Sequence, residues 1–138
     1  MMHQPKFIVT DSDRRRLGTA IEEAQRRERL DYYHYALEHG LEEARVVAAE
    51  QVPGDVVTMN SLVRIHDLAV GKDLTLRLVY PSEMEYCADG LSVASPLGTA
   101  LLGRREGQEI SCWEPAGQRR VRIVEVIFQP ERAGAFHL

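Results

Sequence analysis

The spacing of the hydrophobic residues changes once along this chain, and that change limits the possible folds more than any other feature. Up to residue 52 the apolar side chains recur at intervals of three and four, as in helices that bury one face. After Val52-Pro53-Gly54 they recur mostly at intervals of two, as in strands. The sequence therefore predicts an α+β protein with a helical part over residues 1–52 and a β-rich part over residues 53–138.

The helical part contains two apolar stripes with a helix-start signal between them. The first stripe consists of Leu17, Ala20, Ile21 and Ala24, and the second of Tyr33, Leu37, Leu41, Ala44 and Ala48. Asp31 is a residue type that caps helices, and Leu30 before it can pack on Tyr35 as a hydrophobic staple. We therefore expect two antiparallel helices of about 17 residues each, a short helical hairpin or coiled coil. Residues 6–10 are expected to lead in as an extended segment, with Thr10 or Asp11 as the first cap.

In the β-rich part, alternating patterns predict strands over residues 57–65 and 74–80, and a brief strand over 91–94. A hairpin is predicted from residues 109–114 and 119–128, with its turn at Pro115-Ala116-Gly117-Gln118. Apolar residues occupy both faces of the last strand, which favours an interior position in the sheet. Residues 83–90 are polar and predict a loop.

One short helix is predicted among these strands, over residues 95–103. Ser95 is an N-cap residue type, Pro96 suits the first helical position, and Gly103 is typical of a helix end. Leu97, Ala100 and Leu101 would share one face, and Gly98 would allow the helix to approach the sheet closely. The sequence thus predicts a two-turn helix packed on the sheet.

Charge and composition exclude several classes of protein. The net charge of -4 is spread evenly along the 138 residues, with no basic cluster of the kind that nonspecific nucleic-acid binding needs. Direct binding to DNA or RNA is therefore expected to be weak at most and without sequence specificity. No apolar run is long enough to span a membrane, and the start lacks an export-signal pattern, so we expect a cytoplasmic protein. The two cysteines lack CxxC spacing, and the five histidines are scattered, so no metal or cofactor is predicted.

Several motifs of the β-rich part together resemble a known family. The run from Ser92 to Gly103, SVASPLGTALLG, followed by Gly107-Gln108-Glu109-Ile110 and Pro115-Ala116-Gly117, resembles the C-terminal signature of the Gre transcript-cleavage factors. Residues 55–61 (DVVTMNS), 78–81 (LVYP) and 129–134 (QPERAG) are similar, more closely, to the regulator of nucleoside diphosphate kinase (Rnk) family. These motifs cover most of residues 55–134 in order. The first 50 residues resemble the family only in architecture.

The resemblance implies a fold, a partner and a mode of action. It implies an FKBP-like C-terminal domain, an antiparallel sheet wrapped on one short helix. That domain would dock at the rim of the secondary channel of RNA polymerase with the helical hairpin pointing inward. We accordingly expect a non-enzymatic regulator that competes with Gre factors and acts as a monomer or weak homo-oligomer. The contact residues expected near the signature helix are Ser95, Pro96, Leu97, Arg104 and Arg105, although the two arginines could equally form a solvated basic corner. At the hairpin tip, Glu28 and Asp31 are further expected contact residues.

A second reading of the resemblance is a factor that stimulates transcript cleavage. Gre factors carry paired acids at the hairpin tip that help to hold a second magnesium ion in the polymerase, and carboxylates suit such a hard cation. Glu28 and Asp31 offer an acid-x-x-acid pair at the same place. Neighbouring arginines, the capping role of Asp31 and a hairpin shorter than in Gre factors all favour turn residues without a catalytic role. Two alternatives remain. One is an adaptor for another protein. The other is a proline isomerase, which needs an aromatic-lined pocket, and this chain contains few aromatic residues.

Overall fold

A computed structural model of the protein describes residues 7–27, 32–136 and 138. Its N-terminal part contains strand β1 (Ile8–Thr10), helix α1 (Asp11–Arg26), helix α2 (Tyr32–Glu43) and strand β2 (Arg45–Val47). The predicted cap at Thr10 is confirmed, since the Asp13 N–H donates to Thr10 Oγ1 over 3.0 Å. The predicted start signal at Leu30 and Asp31 lies outside the described residues.

The second helix ends earlier than the sequence pattern predicts. Helix α2 stops at Glu43, and the residues expected to continue its stripe form β2 and then a 3-10 turn at Ala49–Gln51. Strand β2 pairs in parallel with β1, with Ile8 opposite Arg45 and Thr10 opposite Val47. The β-branched pair Val46-Val47 suits a strand better than a helix, and pairing with β1 satisfies its backbone groups.

The β-rich part is built around one five-stranded sheet. Its strands are β3 (Leu62–Asp67), β4 (Lys72–Val79), β5 (Gly90–Ser92), β6 (Glu109–Glu114) and β7 (Gly117–Phe128), in the order β5-β4-β3-β7-β6. The predicted hairpin is confirmed as β6 and β7, and the interior position of β7 is also correct. The expectation of a wholly antiparallel sheet is wrong, because β5 runs parallel to β4. A 3-10 helix, Pro81–Tyr86, lies in the crossover that this parallel pairing requires.

The structure differs from the sequence pattern in the start of β3 and in the faces of β7. The alternation from residue 57 predicts a strand, but β3 begins only at Leu62. Residues 56–59 are all buried, so the segment has no alternating faces, and a turn with Asn60 at a φ of 68° separates it from β3. On β7, Val124 and Ile127 are exposed on one side, so only one face of that strand packs in the core.

The predicted short helix is confirmed as α3 (Pro96–Leu101), which lies against the sheet. Ser95 caps it, and the buried side chains of Leu97 and Leu101 point into the core. Gly98 packs so closely that a Cβ atom there would lie 2.0 Å from the carbonyl oxygen of Ser92. The close approach predicted for Gly98 is therefore present.

One hydrophobic core joins the two parts of the chain. It contains residues of α1 and α2, residues of the sheet, and residues of α3, among them Leu17, Ile21, Leu37, Leu41, Val63, Leu97 and Ile123. Phe7 adds to this contact, since its ring fills the space that side chains at Gly40 and Gly103 would otherwise occupy. The division into domains at residues 1–52 and 53–138 stays a prediction.

Candidate interaction surface

The signature segment around α3 is held in place mainly by its own polar groups. The Ser95 hydroxyl donates to the Ser92 carbonyl over 2.6 Å and accepts from the Gly98 N–H over 3.0 Å. The Thr99 hydroxyl donates to the Val93 carbonyl over 2.8 Å. Ser95 therefore fixes the start of the helix. Ser95 is one of the contact residues expected from the sequence, but its hydroxyl already has two hydrogen-bond partners within the fold.

Leu97 and Pro96 occupy different positions relative to the surface. Leu97 is 2% exposed and belongs to the core, so its side chain is not accessible to a partner in this fold. Pro96 is half-buried and borders a cavity on the side of α3 that faces α2. The predicted contact surface therefore loses Leu97, while Pro96 stays accessible.

Arg104 and Arg105 follow α3 and are held in contrasting ways. The Arg105 guanidinium binds the carboxylate of Asp55 with two nitrogens, Nε at 3.1 Å and Nη2 at 2.9 Å. The Arg104 guanidinium lies over the Phe7 ring, 5.9 Å from its centre. Its buried Nε has no hydrogen-bond partner among the described residues, and partial burial lowers the pKa of the group. Arg104 is thus a half-buried cation beside an aromatic ring, and no carboxylate among the described residues forms an ion pair with it.

The arginines at the start of β7 belong to the sheet rather than to a basic patch. Arg120 and Arg122 both contact the carboxylate of Glu109, and Arg119 contacts Asp67 and Glu114. All three arginines are therefore engaged in ion pairs within the sheet. Arg120 and Arg122 also lower the pKa of Glu109, chiefly through its hydrogen bond with Arg122.

A buried carboxyl that the sequence does not single out joins α1 to the β-rich part. Asp13 is 1% exposed, and its Oδ2 accepts from the Met59 N–H over 3.1 Å. Burial, opposed by that hydrogen bond and reinforced by the nearby charge of Glu131, raises the pKa of Asp13 to about 7. The partner is 46 residues away in the chain, so no local pattern could reveal the contact.

The residues considered for catalysis gain no support from the geometry. Glu28 and Asp31, the proposed acidic pair, lie outside the described residues. Where the structure describes side chains, no group of three or more His, Cys, Asp or Glu residues could hold a metal ion. Burial raises the pKa of the Cys112 thiol, which makes it a weaker nucleophile. Trp113 is 69% exposed near the end of β6.

A membrane-spanning helix is also not found among the described helices, each of which is too short or too polar to cross a bilayer.

The comparisons with known proteins all point to one family. The family model described as transcription elongation factor GreA/GreB, C-terminal, matches residues 52–128. The regulator of nucleoside diphosphate kinase of Escherichia coli is 37% identical over 99% of this chain and 100% of its own length. The transcription elongation factor GreA of Thermotoga neapolitana is 33% identical over 88% of this chain and 83% of its own length.

The fold agrees with the sequence match. A solved structure of a transcription elongation factor GreA/GreB from Nitrosomonas europaea superposes with a TM-score of 0.72 at 37% identity. The superposition covers 91% of this chain and 100% of the Nitrosomonas europaea chain. The similarity therefore extends over both the helical and the β-rich part.

Proposed function

Because this chain belongs to the GreA/GreB family of transcription elongation factors, we propose that it binds RNA polymerase and regulates transcript elongation without performing chemistry itself. The observation that carries this proposal is the match over nearly the whole chain to a regulator and to an elongation factor of that family. The names of these relatives are those of regulators and factors rather than enzymes.

The proposed docking surface lies around α3 in the β-rich part. Pro96, Arg104 and Arg105 form its accessible portion, and Ser95 holds the segment in shape. In this proposal the β-rich part is an FKBP-like domain, and α1 and α2 form the short antiparallel hairpin that enters the secondary channel. We further propose that the chain thereby competes with Gre factors for the polymerase, in the cytoplasm, as a monomer or weak homo-oligomer.

A competition experiment with the full chain tests the proposal. We expect the chain to bind core RNA polymerase with a dissociation constant of about a micromolar or tighter. A GreA protein added in increasing amounts should displace it. Failure to bind at micromolar concentrations would reject polymerase docking. Binding that GreA cannot displace would reject the shared site.

A matched pair of arginine variants tests the docking surface. Arg105→Ala should weaken polymerase binding by about fivefold or more, the effect of losing one significant interface side chain. Arg122→Ala is the control, because both side chains are 49% exposed and both pair with a carboxylate, but Arg122 lies on the sheet away from α3. Equal affinities of the two variants would place docking elsewhere on the chain.

The second candidate function, stimulation of transcript cleavage, rests on the resemblance of Glu28 and Asp31 to the paired acids of Gre factors. Incubation of the full chain with backtracked polymerase complexes separates the two functions. Our proposal expects no RNA shortening. Shortening that disappears in a Glu28→Ala, Asp31→Ala double variant would establish cleavage stimulation instead.

A further inference from the structure

The post-β7 turn, residues 129–135, is a compact segment at the end of the sheet. Within it, the Ala135 N–H donates to the Pro130 carbonyl over 2.8 Å. The turn contains the whole QPERAG motif, and it lies beyond residues 52–128, the range that the family model matches. Its role is therefore not given by that match and follows from its own contacts.

Gln129 binds the backbone at the junction between the helical part and the β-rich part. Its side chain is buried, and its Nε2 donates to the carbonyls of Pro53 and Val56, both over 2.8 Å. Its Oε1 accepts from the Arg132 N–H over 3.1 Å. A buried amide needs such partners, because an unmade hydrogen bond leaves a polar atom that has lost its water. The burial of Gln129 thus depends on where the junction lies.

Arg132 joins the same junction to the end of β7. Its Nη1 donates to the Gly54 carbonyl over 3.1 Å, and its Nη2 donates to the carbonyls of Val126 and Ile127 over 3.1 and 2.9 Å. A Cβ atom at Gly54 would lie 3.0 Å from Arg132 Cδ, so the arginine side chain also packs on this glycine. A guanidinium presents its N–H donors in a rigid fork, so it can hold several carbonyls at fixed positions.

Pro53 and Gly54 form the step between the two parts of the chain. Just after this step, the Val57 N–H donates to the Arg104 carbonyl over 2.8 Å, so the chain is held there by the β-rich part itself. At the step, the post-β7 turn supplies the side-chain hydrogen bonds to both carbonyls. Glycine allows more backbone conformations than other residues. The step therefore has the freedom of a hinge, and the post-β7 turn restrains it.

Glu131 brings the post-β7 turn close to α1 as well. Its Oε1 accepts from Thr58 Oγ1 over 2.6 Å, and the next residue, Met59, donates its N–H to the Asp13 carboxyl of α1. The charge of Glu131 is also one of the causes of the raised pKa of Asp13. The turn thus borders both the hinge and the first helix.

We propose that Gln129 and Arg132 are positioning residues that lock the hinge at residues 53–54 and so set the direction of α1 and α2 relative to α3. The consequence of this lock rests on the proposed function, because helices that enter a channel must point one way while the surface around α3 docks. The lock itself is a property of the free chain. It can therefore be tested without the polymerase.

The first experiment measures the distance between two spin labels in the free full chain. Glu22→Cys on α1 and Lys72→Cys at the start of β4 carry the labels, because both positions are exposed. Cys87→Ser and Cys112→Ser remove the native thiols. Double electron–electron resonance should give one narrow distance distribution for this labelled chain.

Two variants of the labelled chain test the lock, and a third is the control. Arg132→Ala and Gln129→Leu should each broaden the distance distribution by about twofold or more, since parts joined by a free hinge move relative to each other. Arg120→Ala, which removes an exposed arginine of β7 that pairs with Glu109, should leave it narrow. Circular dichroism shows whether each variant is folded, and Arg132→Ala, at an exposed position, decides alone if Gln129→Leu does not fold. An unchanged width in Arg132→Ala would overturn the proposal.

The second experiment separates the lock from the proposed function. Core RNA polymerase should bind Arg132→Ala about tenfold more weakly than the wild-type chain, because only chains whose helices point in the right direction are competent to bind. If Arg132→Ala has a broadened distribution but binds as tightly as the wild type, the lock does not serve docking, and the proposed function stands without it. If no form of the chain binds polymerase while Arg132→Ala is still broadened, the proposed function fails and the lock remains.

Discussion

Gly98 lies where the backbone of α3 comes nearest to the strand end before it. A methyl group at this position would lie 2.0 Å from the Ser92 carbonyl oxygen, which is backbone and also accepts the Ser95 hydroxyl hydrogen bond. The conflict can be relieved only by moving α3 away from the sheet, and Leu97 and Leu101 would then lose their packing. Substitution of Gly98 should therefore affect the core and the proposed docking surface together.

We expect Gly98→Ala to lower the free energy of unfolding by about 3 kcal/mol, the upper end of the usual cost of forcing extra volume into a packed site. Gly18→Ala is the control. Gly18 lies within α1, and an added methyl group there meets nothing within 4 Å. Because alanine favours a helix interior, that variant should gain about 0.5 to 1 kcal/mol. Urea unfolding measures both, and a mild loss in Gly98→Ala would contradict the close approach.

Asp13 should make the stability of the protein depend on pH. Its pKa is about 7 in the folded chain against an ordinary value of 3.8, so the folded state holds this proton more tightly than the unfolded state. The contribution is fully present below about pH 4 and is lost as pH rises towards about 7. The difference in pKa corresponds to about 4 kcal/mol as an upper bound.

Asp13→Asn removes this titration and keeps an oxygen that can accept from the Met59 N–H. We expect the variant to match or exceed the wild-type free energy of unfolding at about pH 8 and to lose the decline between about pH 5 and pH 8. Asp11→Asn, which removes an exposed carboxylate from the same helical turn, should keep the wild-type decline. Urea titrations at the two pH values decide this, and the same decline in Asp13→Asn would show that other groups cause it.

At the residue scale, the sequence reveals roles that depend on neighbours in the chain. Ser95 and Gly98 could be predicted, because a cap, a proline and a stop residue surround them. Asp13 could not, because its hydrogen bond reaches Met59 across 46 residues and a charged residue in a first helical turn is ordinarily exposed. Leu97 is an expected contact residue, but the helical pattern also places it on one face with Leu101, and that face is buried in the core.

At the element scale, the contact of α2 with the start of the chain depends on a missing side chain. A Cβ atom at Gly40 would lie 2.8 Å from Phe7 Cε1, and the same ring also fills the space beside Gly103. Phe7 thus packs between the second helix and the segment after α3. Glycine within a helix is usually unfavourable. At position 40 it is explained by the Phe7 ring, which occupies the space that a side chain would need.

A double-mutant cycle tests this contact. Gly40→Ala alone should lower the free energy of unfolding by about 1 kcal/mol, because the ring must move. In a Phe7→Ala background the same substitution should raise it by about 0.5 to 1 kcal/mol, because only the helix preference remains. Urea unfolding of the four proteins measures the coupling. The same sign of effect in both backgrounds would mean that Phe7 and Gly40 do not share the space.

The elements that the sequence predicts well are the ones with long or strongly marked patterns. Helix α1, strand β4 and the β6–β7 hairpin have periodic patterns bounded by caps or turn residues. Strand β2 has only three residues, and its pairing with β1 depends on residues 37 positions away, as Ile8 and Arg45 show. The parallel direction of β5 is set by the crossover through the 3-10 helix, which looks like a polar loop in the sequence.

At the scale of the whole molecule, the two hydrophobic periods predict two parts but say nothing about the contact between them. In the structure, Leu17 and Ile21 of α1 belong to the same core as Val63 and Ile65 of β3. The Asp13 hydrogen bond to Met59 adds a polar contact across the same boundary. The family, in contrast, could be predicted from the sequence, because its motifs lie in one continuous part of the chain.

The shared core predicts that α1 and the sheet unfold together. In native-state hydrogen exchange, the amides of Leu17 and Ile21 should open with the same free energy as those of Val63 and Ile65, because breaking the core exposes both sides. Gly18→Ala then distinguishes one cooperative unit from two. It stabilises α1 alone, so in a single unit it should slow exchange in β3 by the same factor as in α1. In two independent units it would slow exchange only in α1, and the helical part could then move relative to the sheet without disturbing the docking surface around α3.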